Sequence, residues 1–173
     1  MHIWVDADAC PATVKELLFR TAIRTNTKLT LVANQKLSTP RSAWIECMIV
    51  RSGMNVADRR IIEMVQPGDL VITADIPLAA EIVVKGAVGL DPRGELYTDS
   101  NVGERLAVRN LFDELRAGGQ IGGGPSNYTA KDLQAFANQL DRLLTAHRKR
   151  ASQLRPDQGI PSTSPEKPGS DLT

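Results

Sequence analysis

The chain has 173 residues, of which 42% are apolar, and its 21 basic and 20 acidic side chains give a formal net charge of +1. This length and apolar content suit one domain with one hydrophobic core. The near-neutral charge excludes a global field that would attract nucleic acid or an anionic membrane, so any basic surface has to be local. Two cysteines and two histidines exclude a disulfide framework and give no zinc-binding spacing.

The beginning of the chain and its hydropathy predict a soluble, cytoplasmic protein. The first residues lead directly into a predicted strand rather than into a secretory signal peptide. No apolar run approaches the length that a membrane-spanning helix needs, so no membrane partner is expected.

The first predicted strand, over residues 3–5, is followed by two acidic residues, Asp6 and Asp8. Pro11 suits the first position of the next helix, where no backbone N–H is required. The C-terminal end of a parallel strand borders the crevice in which open α/β sheets bind their ligands. We therefore interpret the two acids as a charged functional site. The alternative is that Asp8 caps the helix and that Asp6 is half-exposed.

Apolar periodicity predicts strands that alternate with helices as far as residue 90. The predicted strands cover residues 3–5, 28–34, 46–51, 70–72 and 87–90, and the predicted helices cover residues 11–25, 55–66 and 76–85. Such alternation indicates an α/β fold with a mainly parallel sheet and right-handed crossovers.

A short edge strand over residues 95–98 and two later helices complete the predicted fold, and the helices are expected to cover one face or edge of the sheet. The helix over residues 102–117 has an apolar stripe that we expect to face the core, made of Val108, Leu111, Phe112 and Leu115. The helix over residues 129–147 begins with Thr129 and Asp132, which fit a capping arrangement.

The composition changes after residue 150. Prolines accumulate there, and large apolar residues become too rare to offset the entropy of ordering the chain. We therefore predict one domain over residues 1–150 and a disordered tail over residues 151–173.

A second strand repeats the pattern of the first. Residues 70–72 are followed by Thr73 and Asp75, and Pro77 then begins a helix. If this strand neighbours the first, Asp75 lies within a few ångströms of Asp6, because adjacent strands are about 4.8 Å apart. The alternative role for Asp75 is to cap the helix that follows it.

Asp58 adds a further carboxylate, three residues after Asn55 at a predicted helix start. This spacing also fits a capping role for Asn55 and Asp58, which remains open as an alternative. Several carboxylates in one crevice cannot all stay ionised without a cation. Because no cysteine or histidine set accompanies them, their oxygens point to Mg²⁺ or Mn²⁺ as the ion.

Three motifs of the chain together resemble the YaiI/YqxD family of uncharacterised bacterial proteins, over about residues 1–148. They are Val-Asp-Ala-Asp-Ala-Cys-Pro at residues 5–11, Asp-Leu-Val-Ile-Thr-Ala-Asp-Ile-Pro-Leu-Ala at residues 69–79, and Gly-Gly-Pro at residues 123–125 before a threonine-capped helix. That family is in turn similar to PIN-like and NYN-like nuclease domains. The resemblance implies a PIN-like, three-layer α/β/α sandwich and a metal-dependent attack on RNA or DNA phosphodiesters.

The same resemblance implies roles for individual residues. Asp6, Asp58 and Asp75 fall on the metal-binding acids, and Thr73 is the companion hydroxyl of Asp75. Asp8 is additional to the simplest nuclease pattern, and the catalytic candidates are therefore Asp6, Asp8, Thr73 and Asp75. A fourth metal-binding acid often follows in such domains, and the nearby candidates here are Asp91 and Asp99.

Two other functions remain open. The Asp-x-Asp pair also resembles phosphatases of the haloacid dehalogenase type, in which Asp6 would be the nucleophile and Asp8 the general acid. Thr73 and Lys85 would then stand in for the later motifs of those enzymes, although no paired acids follow a later strand. The third reading is a PIN-like module that binds RNA or a protein without cutting.

Basic and aromatic residues provide candidate contacts to nucleic acid. On the helix over residues 102–117, Arg105, Arg109 and Arg116 fall within an arc of about 40°, where they would contact phosphates or simply form a solvated face. We interpret the basic run over residues 147–150 as a complement to a helix dipole. The aromatic residues expected to be exposed for base stacking are Trp44 and Tyr128.

The glycine-rich segment over residues 118–124 matches no phosphate-binding motif. It lies between two predicted helices, and we interpret it as a flexible linker, with an anion-binding nest beside the start of the helix at Thr129 as the alternative.

Overall fold

The structure, a computed structural model, describes residues 1–119 and 126–153. The strands are β1 (Ile3–Asp6), β2 (Leu29–Ala33), β3 (Ile45–Ile49), β4 (Leu70–Ile72), β5 (Val88–Leu90) and β6 (Leu96–Tyr97). The helices are α1 (Ala12–Thr25), α2 (Val56–Met64), α3 (Ile76–Val84), α4 (Val102–Ala117) and α5 (Ala130–Gln153). The predicted alternation of strands and helices is therefore confirmed. None of the helices in this part of the chain is long and apolar enough to cross a membrane.

The strands form one sheet in the order β3-β2-β1-β4-β5-β6. The pairs from β3 to β5 are parallel, whereas β6 runs antiparallel to β5. β1 thus lies in the interior of the sheet between β2 and β4, with Val5 paired to Ile72. This register brings the ends of β1 and β4, and the residues that follow them, to the same edge of the sheet.

Helices cover both faces of the sheet, as the predicted three-layer α/β/α arrangement requires. Because side chains alternate along a strand, Ile3 and Val5 face one side and Trp4 faces the other. The first side packs with α1 and α5, whose buried residues include Phe136. The second side packs with α2 and α3 through residues such as Ile61.

The prediction of a core-facing stripe on α4 is wrong. Val108, Leu111 and Phe112 are 45%, 54% and 45% exposed, and the buried residue of the helix is Val102 in its first turn. The physical reason is position: α4 packs against α3 at the edge of the sheet rather than on either face. The C-terminal half of α4 therefore lies beyond the other helices and strands of the described residues, and its apolar side chains Leu111 and Phe112 stay exposed.

The last helix, α5, has the predicted start and a later end. The Thr129 N–H and hydroxyl both donate to Oδ2 of Asp132, and the Asp132 N–H donates back to the Thr129 hydroxyl, which confirms the cap. The helix continues to Gln153, so residues 151–153 are helical and do not belong to a disordered tail. The predicted tail beyond them and residues 120–124 of the predicted linker lie outside the described residues.

A close approach between the turn before β6 and helix α5 gives a first testable prediction. Gly94 has a φ of +91°, and an added Cβ would lie 2.6 Å from the carbonyl carbon of Ala135. Replacing Gly94 with alanine is expected to lower the free energy of unfolding by about 1–3 kcal/mol, because the backbone of α5 has to shift. Urea denaturation measures the change.

The matched control for that substitution is Gly103 in α4. Nothing lies within 4 Å of a Cβ added there, and its φ is not in the left-handed region. Alanine at this position is expected to raise the free energy of unfolding by about 0.5–1 kcal/mol through helix propensity. Equal effects at the two glycines would contradict the contact between the turn and α5.

Candidate active site

The C-terminal edge of the sheet brings together three of the predicted site residues. Asp6 ends β1 and is 8% exposed, and Thr73 follows β4 and is 1% exposed. The Thr73 hydroxyl donates to Oδ2 of Asp6 over 3.3 Å and accepts from the N–H of Asp75 over 3.0 Å. The alternative in which Asp6 is half-exposed is therefore wrong, and Thr73 joins Asp6 to the start of α3.

Asp75 is the N-cap of α3, and its Oδ1 accepts from the Leu78 N–H over 2.8 Å. The capping alternative is thus confirmed as a contact. It occupies one carboxylate oxygen of a residue that also lines a cleft, so capping and ligand binding are compatible at this position.

The predicted capping arrangement at the start of α2 is wrong. Asn55 has left-handed backbone angles, with a φ of 59°, and its side chain makes no cap hydrogen bond. Asp58 lies in the first turn of α2, and no hydrogen bond from another described residue engages its carboxylate. Asp58 is partly exposed and faces the same cleft as Asp75.

This cleft, which we call the acidic cleft, has a volume of about 310 Å³ and is bordered by α2, α3 and α4. Its acidic lining residues are Asp58, Asp75 and Glu81, and its basic ones are Arg59 and Arg109. A cleft with both signs of charge suits a ligand that combines a cation with an anionic group.

The carboxylates at this edge repel one another. Burial raises the pKa of Asp6 to about 6, and the negative charge of Asp58 adds to the rise, followed by those of Asp8 and Asp75, while the Thr73 hydrogen bond opposes it. The pKa of Asp58 is also raised, first by burial and then by the charges of Asp75 and Glu81. A cation at this edge would relieve both the repulsion and the desolvation.

Asp8 lies at the same edge of the sheet and accepts a hydrogen bond from the backbone there. It is exposed, and its Oδ2 accepts from the N–H of Asn34 over 3.0 Å, which ties the end of β1 to the end of β2. The N-cap position of α1 is Pro11, without any side-chain cap, so the alternative in which Asp8 caps that helix is wrong.

The donor set fits a hard divalent cation in its chemistry. Among the described residues, no three side chains of His, Cys, Asp or Glu lie close enough together to hold a metal ion. Mg²⁺ keeps several water ligands and is usually bound through one or two carboxylates, which this edge of the sheet supplies. One or two of the carboxylates of Asp6, Asp58 and Asp75 would hold such an ion directly, and the others would contact it through its water ligands.

Two acids proposed to complete the set have other partners. Asp91 accepts from the Arg93 N–H and the Tyr97 hydroxyl, so it stabilises the turn between β5 and β6. It is not among the charges that raise the pKa of Asp6. Asp99 is exposed beyond β6, does not line the acidic cleft and does not raise the pKa of Asp6, so neither acid joins the cluster.

Lys85 lies at the opposite end of α3, where its ammonium donates to the carbonyl oxygen of Ile62. The start of α3 borders the acidic cleft, and nine helical residues separate that start from Lys85. Lys85 therefore does not approach Asp6. The phosphatase hypothesis requires a lysine near the nucleophile, and Lys85 does not fill that role.

The three predicted phosphate-binding arginines share one groove of about 510 Å³ along α4, with Val108 and Phe112 beside them. Each arginine also pairs with an acid: Arg105 with Glu95, and Arg109 and Arg116 with Asp113. Arg109 lines both this groove and the acidic cleft. The face of α4 that carries the arginines therefore connects this groove with the carboxylates of the acidic cleft.

Sequence reasoning missed Arg59 and Glu81 as lining residues of the acidic cleft. Arg59 directly follows Asp58, and Glu81 lies on α3 after Asp75, so both were near predicted positions. Tyr128 is only partly exposed, and its hydroxyl donates to the carbonyl oxygen of Pro92, whereas Trp44 is 38% exposed. The prediction of an exposed platform therefore holds for Trp44 and not for Tyr128.

A family model described as "Uncharacterized BCR, YaiI/YqxD family" matches residues 4–146, which include Asp6 and the acids that line the acidic cleft. The chain belongs to the YaiI/YqxD family. The matched residues include the sheet, helices α1 to α4 and most of α5, so the family shares the elements that form the cleft.

Two curated relatives support the assignment to the YaiI/YqxD family over almost their whole length. A UPF0178 protein of Alkalilimnicola ehrlichii is 58% identical over 148 residues, which are 86% of this chain and 100% of the relative. A UPF0178 protein of Maridesulfovibrio salexigens is 57% identical over 145 residues, which are 84% of this chain and 96% of the relative. No solved structure matches the chain significantly.

Proposed function

We propose that this YaiI/YqxD protein is a Mg²⁺- or Mn²⁺-dependent nuclease that hydrolyses phosphodiesters of RNA or DNA. The observation that carries the proposal is the repelling carboxylate cluster at the C-terminal edge of the sheet, in which burial and neighbouring acids raise the pKa of Asp6 to about 6. A bound divalent ion would polarise a phosphate oxygen and activate a water molecule for in-line attack.

The residues of the chain have separate roles in this proposal. Asp6, Asp58 and Asp75 would hold the cation, with one or two of them as direct ligands and the rest through water, and the Thr73 hydroxyl orients Asp6 through its hydrogen bond. Asp8 keeps the end of β1 against β2 through the Asn34 N–H and remains a candidate proton acceptor on the exposed side. These roles divide the site into one buried and two partly exposed ligands, Asp6 with Asp58 and Asp75, and one exposed acid, Asp8.

Basic residues of the cleft supply the contacts to the substrate. Arg59 and Arg109 lie on the same cleft as Asp58 and Asp75, and Arg105 and Arg116 continue the basic track along α4. The acids that pair with these arginines are about half-exposed, and such surface pairs contribute about 0–1 kcal/mol each. A phosphate group of the substrate can therefore replace the acid paired with an arginine at a small cost in free energy.

The direct test is hydrolysis of short fluorescent RNA and DNA strands by the purified full chain with Mg²⁺, Mn²⁺ or EDTA. Cleavage is expected only with a divalent ion, and Asp6→Asn is expected to slow it by about 100-fold or more, beyond the usual cost of an outer-shell contact. Asp99→Asn, at an exposed acid outside the cluster, is the matched control and should retain activity.

The two alternatives predict other outcomes of the same experiments. A haloacid-dehalogenase-type phosphatase would form a trappable aspartyl-phosphate at Asp6 and would release phosphate from monoesters. A non-catalytic RNA- or protein-binding module would bind strands or a protein without cutting under any ion. Either result, obtained with protein that still folds, would refute the nuclease proposal.

Arg109 gives a prediction that concerns binding alone. Arg109→Ala is expected to weaken binding of a nucleic-acid strand and to reduce the slope of log affinity against log salt by about one, because one phosphate contact is lost. Fluorescence anisotropy in EDTA measures this without cleavage. Arg142→Ala, at an exposed arginine of α5, should leave the slope unchanged, and an unchanged slope in Arg109→Ala would remove this arginine from the interface.

A further inference from the structure

A further pocket lies at the N-terminal edge of the sheet, opposite the acidic cleft. It has a volume of about 710 Å³, within the range of sites for small organic ligands. Lys28 directly precedes β2, and Arg148 and His147 belong to the last turns of α5. We call it the basal pocket, after its position beneath the strands.

The charges around the basal pocket all have one sign. The positive groups are those of Lys28, Arg148 and Met1, the imidazole of His147 lies among them, and no aspartate or glutamate is among the lining residues. In the described part of the chain, neither Lys28 nor Arg148 has a carboxylate within ion-pair distance, although six other pairs form there. An anion would neutralise this convergence of positive charge.

The imidazole of His147 contacts one of these positive groups. Its Nε2 lies 3.3 Å from the Met1 amino nitrogen, and an ammonium group can only donate, so Nε2 accepts and is unprotonated. Burial, the Met1 amino group and Arg150 all lower the pKa of His147. The pocket therefore holds its histidine neutral and presents donors to an incoming anion.

A helix dipole does not account for the whole pocket. The helix continues to Gln153 and the basic residue in its last turn is Arg150, so the predicted complement to the helix dipole applies to Arg150 rather than to Arg148. Lys28 belongs to no helix, since it lies between α1 and the first residue of β2. Lys28 and Arg148 nevertheless line the same pocket, which is the arrangement that a shared anionic ligand requires.

Trp44 gives the pocket an aromatic wall. Its indole is 38% exposed, and its backbone carbonyl accepts from the Leu29 N–H, which fixes the residue beside Lys28. Asn26 and Thr27 add amide and hydroxyl groups to the lining. A flat ring, hydroxyl-binding groups and cations together match the base, sugar and phosphate of one nucleotide.

We propose that the basal pocket binds a mononucleotide, with the phosphate held by Lys28 and Arg148 and the base stacked against Trp44. The site is separate from the acidic cleft and does not depend on nuclease activity. The edge that binds the nucleotide is the edge at which the strands begin, so ligands of the two sites do not meet.

Calorimetric titration of the full chain without metal tests the proposal, with AMP, adenosine and inorganic phosphate as probes. AMP is expected to bind one-to-one, and adenosine and phosphate are each expected to bind at least tenfold more weakly. Lys28→Ala and Arg148→Ala should weaken AMP tenfold or more. Trp44→Ala should weaken AMP by about 5- to 100-fold, the usual range for loss of one stacked base, without affecting phosphate.

Matched controls separate the pocket from general electrostatics. Lys36→Ala removes a lysine beyond the other end of β2, and Arg142→Ala removes an exposed arginine of α5 that does not line the pocket, so both should bind AMP normally. Asp6→Asn should also bind AMP normally, whether or not the nuclease proposal is correct. Absence of AMP binding, equal losses in the controls, loss in Asp6→Asn, or phosphate binding as tight as AMP would each overturn the proposal.

Discussion

Replacing Phe136 with alanine is expected to lower the free energy of unfolding by about 3–5 kcal/mol, the usual cost of deleting a buried phenylalanine ring. Phe136 is fully buried in the core between α5, α1 and the sheet, and the turn at Gly94 lies against its backbone nitrogen. Rigid backbone on one side and β-strands on the other limit how far the cavity can collapse. Urea denaturation measures the loss.

Phe112 provides a control with the same chemistry. It is 45% exposed on α4, so Phe112→Ala is expected to change the free energy of unfolding by less than about 1 kcal/mol. A large loss at Phe112 would show that the apolar face of α4 is covered in solution. Similar effects at the two positions would therefore contradict the structure at the edge of the sheet.

The second large effect is expected at Asp6, and its sign depends on pH. The pKa of Asp6 is about 6 in the folded protein, against 3.8 as the ordinary value, so folding favours its protonated form. Its contribution to stability is complete below about pH 4 and is lost as the pH rises through about 6. At pH 7.5 the ionised carboxylate costs about 3 kcal/mol, from about 1.4 kcal/mol for each pKa unit.

Asp6→Asn removes that cost while keeping an oxygen that accepts from Thr73. Without metal, the variant is expected to be more stable than the parent by up to about 3 kcal/mol at pH 7.5, and the difference should vanish near pH 4. Melting temperatures across this pH range measure it. A variant that is equally destabilised at both pH values would refute the raised pKa.

Added Mg²⁺ or Mn²⁺ is expected to close this difference and, at high concentration, to reverse it. A cation that binds only the folded state stabilises it by about 2.7 kcal/mol at a hundredfold excess over its dissociation constant and by about 4.1 kcal/mol at a thousandfold excess. The parent should gain this, whereas Asp6→Asn and Asp75→Asn should lose most of it. Asp99→Asn is the control and should respond like the parent. If neither ion shifts the melting temperature of the parent, no cation site exists at this edge.

The strand-end aspartates are the part of the candidate site that could be predicted from the sequence. Short apolar strands followed by Asp6 and Asp75 could be recognised because burial on both faces leaves only the strand end for a carboxylate. Their proximity followed from parallel pairing, which the register of Val5 with Ile72 confirms. The hydroxyl link through Thr73 needed atomic positions, since rotamers decide which oxygen it meets.

The errors have a common physical origin. The apolar stripe of α4 has the same period as that of α5, but periodicity reports which face of a helix is apolar and not whether another element covers it. At Asn55 the sequence suggested a side-chain cap, whereas the chain enters α2 through a left-handed residue. Both outcomes depend on long-range packing, which spacing along the chain does not encode.

The hydrogen bonds around Thr73 have a mechanical consequence. Its single hydroxyl proton points towards Asp6, while its oxygen receives the first amide of the segment that starts α3. A displacement of Asp6 by a bound ion is therefore transmitted through one oxygen to the backbone of Asp75 and to the Leu78 amide that Asp75 caps. Binding of an ion at the end of β1 is therefore expected to slow amide hydrogen exchange in the first turn of α3.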